Sequence, residues 1–208
     1  MVKIVQIPVG QMANFTYILA DENTGESAVI DPSWDLEKIF AILNKNGWKV
    51  KYIINTHTHF DHILGNEQVA ALTGAKIIQH KESTEKFDLP VEDGQIIEVG
   101  KIVIRIVHTP GHSKDSISLV VDNELVLTGD TLFVGNCGRV DLPGSDPSEM
   151  YHSLFEKIAK LQESLVVYPG HDYGWKKTST IADEKRTNYV LKTRSREDFV
   201  RFMASTDE

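Results

Sequence analysis

Thr56-His57-Thr58-His59-Phe60-Asp61-His62 places three of the chain's eight histidines and a carboxylate within six residues. It follows an apolar, β-prone run, Val50-Lys51-Tyr52-Ile53-Ile54-Asn55. A strand running into a loop is where a rigid scaffold usually presents working groups. In an extended turn His57 and His59 point to one side, Asp61 follows them, and His62 points elsewhere. The stretch can therefore feed two neighbouring metal positions, one through His57 and His59, the other through Asp61 and His62. Imidazole with carboxylate suits zinc, iron or manganese. A solvated polar loop would give no reason for histidines at spacings of two and three around an aspartate.

Three further stretches repeat the pattern of strand, turn and ligand-type residue. In His108-Thr109-Pro110-Gly111-His112-Ser113, Pro110-Gly111 turns the chain and His112 projects. Leu127-Thr128-Gly129-Asp130-Thr131 carries Asp130 at a strand end, and Tyr168-Pro169-Gly170-His171-Asp172-Tyr173 is built the same way around His171. Each alone reads as a turn with a polar tip. Strand ends on one edge of a layered β-fold converge, so together these residues can close one site. Two divalent metals with three ligands each and a bridging carboxylate need seven groups. His57, His59 and His112 serve one metal, Asp61, His62 and His171 the other, and Asp130 bridges. Asp61 and Asp130 are the carboxylates expected to take part in catalysis. Two dications hold hydroxide near neutral pH, so no serine or cysteine nucleophile is required.

The elements that must position these groups are legible from periodicity and turn chemistry. Strands are expected over 2–8, 15–20 and 27–31, with Asp21–Glu26 as turn chemistry between the last two. A helix over 35–46 places Leu36, Ile39, Phe40 and Leu43 on one face and ends at Gly47. After the motif, a helix is expected over 63–73, then a strand over 75–80, a loop over 81–93, strands over 95–99 and 101–107, and a hairpin over 117–128. Asp146, Pro147 and Glu149 form a strong helix start, with the helix running to about Leu161. A strand over 164–168 and helices over 180–188 and 195–203 complete the chain. The order predicts two β-rich halves packed face to face with helices outside, in one domain over 1–208.

The 208 residues suffice for one well-buried domain. A net charge of −8 disfavours a nucleic-acid partner, which needs a basic face. Cys137 is the single cysteine, so no internal disulfide forms, which fits a reducing compartment. The first residues lack the form of a signal peptide, and no apolar run approaches the ~20 residues of a membrane span. A cytoplasmic protein is expected, with no membrane partner. Cys137 is read as a small buried residue, and Trp34, Trp48 and Trp175 as packing groups. His80, His108 and His152 are read as structural, His80 having no partner nearby in sequence.

The sequence resembles the metallo-β-lactamase superfamily. The residues that carry the resemblance are His57-Thr58-His59-Phe60-Asp61-His62, Pro110-Gly111-His112, Gly129-Asp130 and Pro169-Gly170-His171. It implies an α+β fold, a four-layer αββα sandwich with the site at one edge of two sheets. True β-lactamases of this fold act outside the cytoplasm, and flavodiiron oxygen reductases carry glutamate where His59 stands. The RNA-processing nucleases have more basic surfaces. Gly129-Asp130-Thr131-Leu132-Phe133 and Cys137-Gly138-Arg139 are similar to glyoxalase II and the persulfide dioxygenases. Full glyoxalase II carries a C-terminal helical domain for glutathione, which this chain is expected to lack. His171-Asp172-Tyr173-Gly174, with Ser179-Thr180-Ile181 and Glu184, looks more like the dioxygenases and short glyoxalase-II-like hydrolases.

The resemblance implies hydrolysis of a small thioester, a hydroxyacylglutathione for example, with metal-bound hydroxide as nucleophile. The alternatives are a persulfide dioxygenase holding one Fe(II) through His57, His112 and Asp130, and a non-catalytic metal scaffold. With all seven ligand-type residues present, the sequence leaves one iron or two metals open. The partner is a small thioester or persulfide of a glutathione-like thiol. Arg139 is the candidate clamp for a substrate carboxylate, set against a surface ion pair with Asp141, and Tyr173 the candidate neighbour of bound substrate. The native metal, the thiol carrier and the oligomeric state stay open.

Overall fold

Hydrophobic alternation divides most of the longer strands between two cores, and this division builds the architecture. The computed structural model describes residues 2–192 and 194–205. Strands β1 (Val2–Val9), β2 (Asn14–Asp21), β3 (Glu26–Ile30), β4 (Lys49–Ile54), β5 (Lys76–His80) and β6 (Leu89–Val91) form the first sheet in that order. The second sheet contains β7 (Ile96–Val99), β8 (Ile102–His108), β9 (Ile117–Val121) and β10 (Leu125–Gly129). A small hairpin, β11 (Leu132–Phe133) and β12 (Asn136–Cys137), follows, and then β13 (Val166–Pro169) and β14 (Ser179–Thr180). The order across the second sheet is β14-β13-β10-β9-β8-β7.

On β2, Phe15, Tyr17 and Leu19 enter the core between the sheets, while Ile18 and Ala20 enter the core under the helices. Ile104 and Ile106 of β8 and Leu119 of β9 meet Ile30 and Ile54 across the central layer. All five are fully buried, each contributing about 1.5–3 kcal/mol of transfer free energy. Helices α1 (Leu36–Asn46), α2 (Phe60–Ile63) and α3 (Asn66–Thr73) follow β3 and β4. Ile39, Leu43 and Val69 cover the outer face of the first sheet. Helices α4 (Pro147–Tyr151), α5 (Ile181–Thr187) and α6 (Arg196–Ser205) bring Met150, Ile181, Phe199 and Met203 onto the outer face of the second. The four layers are those expected. Among the described residues no helix is long and apolar enough to cross a membrane.

Four local expectations need correction. The helix expected over 63–73 is two helices, because Gly65 donates its N–H to Pro32 O (3.0 Å) and a Cβ there would lie 2.6 Å from Leu36 Cδ2. The chain is thereby pinned to the loop after β3 before α3 starts. The loop expected over 81–93 contains β6, which pairs parallel with β5. The helix begun by Asp146 is capped as read, with Asp146 Oδ1 accepting from Ser148 N (2.7 Å) and Glu149 N (3.2 Å). It then widens into a π-type turn, His152–Lys157, where Ser153 Oγ and Lys157 Nζ donate to the carbonyls of Pro110 and His108. Trp34 and Trp48 pack against the outer core, whereas Trp175 is 66% exposed.

Candidate metal centre

Five strands end at one edge of the sandwich, and the polar residues just beyond them converge. Asp31 follows β3, His57 to His62 follow β4, His112 follows β8, Asp130 follows β10 and His171 follows β13. The edge is stitched across the sheets by backbone hydrogen bonds. Ile117 N donates to Thr56 O (2.7 Å), Phe15 N to Gly170 O (2.8 Å) and Asp172 N to Ala13 O (2.7 Å).

All seven residues expected as ligands come together here. His57, His59 and His112 each bring one ring nitrogen within 4.8 Å of the others, as do the donor atoms of Asp61, His62 and His171 and those of His57, His62 and Asp130. In the second group His62 Nε2 and His171 Nε2 are 3.2 Å apart, and each lies 3.5 Å from Asp61 Oδ2. Two imidazole nitrogens held by one tetrahedral zinc lie about 3.3 Å apart, so this triangle matches a shared ion. Asp130 stands between the groups. Its Oδ1 is 3.5 Å from His62 Nε2, and its Oδ2 is 3.2 Å from His171 Nε2 and 3.6 Å from His112 Nε2.

The outer nitrogen of three rings is tied down. His62 Nδ1 donates to Asp31 Oδ2 (3.0 Å), His112 Nδ1 to Arg139 O (2.8 Å) and His171 Nδ1 to Met12 O (2.9 Å). Each bond turns the Nε2 lone pair inward, as metal-ligand histidines require. Two buried polar atoms aimed into the centre, His57 Nε2 and Asp130 Oδ1, have no hydrogen-bond partner. Orphaned groups of this kind are costly unless a ligand satisfies them, so the residues fit a cation-binding site.

Without a cation, the carboxylates of the centre draw positive charge onto the histidines, a charge that a bound metal would replace. Burial opposes charge on His62, but Asp130 and the bond to Asp31 outweigh it and raise its pKa to about 9. Burial likewise opposes charge on His171, and its bond to Asp130 raises the pKa on balance. Burial works against an ionised Asp130, yet His62, His171 and His57 hold its carboxyl well below the usual range. Burial, then repulsion from His62, keeps His57 neutral. Burial and His112 lower His59.

Two glycines make the cradle sterically feasible. A Cβ on Gly170 would lie 2.2 Å from Asp130 Oδ1, and one on Gly138 would lie 1.9 Å from Asp130 O. Two further residues position the ligands and lie outside the expected set. Asp31 is buried and also accepts from Thr56 N (2.7 Å) and Thr56 Oγ1 (2.6 Å). Its signal was present, since Asp31-Pro32 repeats the strand-then-turn pattern of the other stretches. Asn14 Nδ2 donates to Asp61 Oδ2 (2.9 Å), and nothing local in the sequence marks it. Cys137 is buried, which pushes its thiol up to about 12.

The two substrate-contact candidates sit differently. The Tyr173 ring stacks on His171, with centroids 4.6 Å apart and planes at 11°, and is 56% exposed. The Arg139 side chain is exposed and its guanidinium donates to the Asp141 carboxylate, the surface pairing weighed against the clamp. Its backbone carbonyl is what touches the centre, through His112.

Known proteins are similar to this chain over most of its length. The human mitochondrial persulfide dioxygenase ETHE1 is 35% identical over 194 residues, covering 92% of this chain and 76% of its own length. A hydroxyacylglutathione hydrolase from Polaromonas is 40% identical over 166 residues, covering 77% of this chain, which spans only 62% of that hydrolase. The crystal structure of ETHE1 from Myxococcus xanthus superposes with a TM-score of 0.94 at 30% identity, covering 99% of this chain and 92% of that one. The model of the Metallo-beta-lactamase superfamily matches residues 9–171, which contain all seven ligand-type residues. The chain belongs to the metallo-beta-lactamase superfamily.

Proposed function

We propose that this protein is a metal-dependent hydrolase of small thioesters of a glutathione-like thiol, of the hydroxyacylglutathione hydrolase type. One observation carries the reading. The triad Asp61, His62 and His171 is complete beside His57, His59 and His112, with Asp130 between them, so the centre has donors for two dications. Zinc, iron or manganese suits this donor set. Such ions supply a water acidified to near neutrality and positive charge for a developing oxyanion.

The chain's own groups do the rest. Asp130 stays ionised between the two sets of imidazoles, with Oδ1 near His62 on one side and Oδ2 near both His171 and His112. Asp31, Arg139 O and Met12 O hold the His62, His112 and His171 rings in the tautomer with Nε2 inward. Tyr173, flat against His171, forms a wall on which the acyl or thiol portion rests. Arg139, beyond Gly138, exchanges Asp141 for a substrate carboxylate. The thiolate is a good leaving group and needs no proton from the protein.

A second reading, a dioxygenase of a thiol persulfide with one Fe(II) on His57, His112 and Asp130, is favoured by a separate observation. Similarity to ETHE1 proteins runs through nearly the whole chain, beyond the stretch shared with the hydrolase. His62→Ala and His171→Ala separate the two. The hydrolase reading expects each variant to lose one metal equivalent and orders of magnitude in thioester turnover. A variant that keeps its full metal content and oxidises persulfide supports the dioxygenase.

A further inference from the structure

His80 at the end of β5 and His108 at the end of β8 bring one imidazole from each sheet together. The rings stack with centroids 3.8 Å apart and planes at 15°. Glu82 lies in the exposed turn after β5, and its N–H donates to His80 Nδ1 (3.4 Å). One donor atom from each of His80, Glu82 and His108 lies within 4.8 Å of the other two. None of the three belongs to the seven residues of the metal centre.

We propose that His80, Glu82 and His108 form a separate site for a borderline divalent cation such as Zn²⁺ or Ni²⁺, joining the two sheets. Two imidazoles and a carboxylate suit these ions and leave positions for water. The orientation of His108 supports the assignment. Its Nε2 donates to the carbonyl of Lys114 (2.8 Å), which fixes the tautomer and leaves the Nδ1 lone pair for a ligand. His80 is 2% exposed, and burial with repulsion from His108 lowers its pKa to about 4. Near-parallel planes keep the two ring lone pairs from converging on one ion, and His80 Nδ1 already accepts from the Glu82 N–H, so binding opens the stack and breaks that contact. The less buried His108 and the exposed Glu82 move, while His80 stays anchored.

The test is a Zn²⁺ titration of the protein carrying its as-isolated metals, followed by calorimetry and by the ¹⁵N resonances of the imidazoles. The expected result is one further equivalent per chain, with the His80 and His108 ring signals shifting as it binds. Glu82→Gln, at an exposed position, should weaken this step about tenfold, in line with the usual cost of disturbing a metal site. His108→Asn should abolish it, and both variants should keep the as-isolated metal content. A wild type that takes up no further equivalent overturns the proposal. So does a Glu82→Gln/His108→Asn double variant that takes it up with unchanged affinity.

Discussion

Replacing Asp31 by asparagine keeps the shape of a buried side chain and removes its charge and one acceptor. Asp31 accepts from Thr56 N (2.7 Å) through Oδ1, and from Thr56 Oγ1 (2.6 Å) and His62 Nδ1 (3.0 Å) through Oδ2. An amide has one acceptor, so its NH₂ must meet a donor whichever way it is turned. Set toward the backbone, it opposes the Thr56 N–H. Set toward His62, it forces Nδ1 to accept, which puts the ring proton on Nε2, the nitrogen that faces His171 and Asp130. Loss of a hydrogen bond to a charged group costs about 1.5–3 kcal/mol. Disturbing the partner of a ligand histidine lowers metal affinity about 10–100-fold. Asp31→Asn should therefore unfold at lower denaturant and lose metal to a chelator about 10–100-fold more readily. The His62 ring should show the Nε2–H tautomer by ¹⁵N NMR. Unchanged chelator competition together with an Nδ1–H tautomer would refute the positioning argument.

Asp130→Asn removes the bridging charge, and should abolish turnover and weaken metal retention, read by elemental analysis after dialysis. Gly170→Ala places a methyl group where Asp130 Oδ1 now lies 2.2 Å from it, and should lower activity at least about tenfold through a displacement of around 1 Å, with the fold retained by circular dichroism. Arg139→Ala should raise KM for carboxylate-bearing substrates about tenfold with kcat less affected, and Arg139→Lys should restore it only in part. An unchanged KM would leave Arg139 as the surface partner of Asp141.

The centre was legible because its residues are chemically scarce and sit at the ends of apolar strands, so composition and turn chemistry pointed to the same positions. His112, Asp130 and His171 are each ordinary turn residues alone, and their meaning came from the motif at His57 to His62. Asp31 was readable by the same rule and was passed over, since a single aspartate before proline also closes a strand. Asn14 was not readable, because its partner Asp61 is 47 residues away and the contact exists only once the two sheets meet. The His80–His108 stack is hidden for the same reason, its rings belonging to different sheets. Among the elements, local signals gave helix starts and strand periodicity. They missed the break at Gly65, which is imposed by contact with Pro32 and Leu36 rather than by local propensity. They also missed β6, whose three residues gain their extended form from pairing with β5.

Thioester cleavage without oxygen tests the central claim most directly. Metal-loaded protein is given a hydroxyacyl thioester of glutathione under strict anaerobiosis, and free thiol and carboxylate are measured. A two-metal hydrolase releases the two in equal amounts, at the same rate as in air. No thioester cleavage, with stoichiometric oxygen uptake when glutathione persulfide is supplied in air, would contradict it.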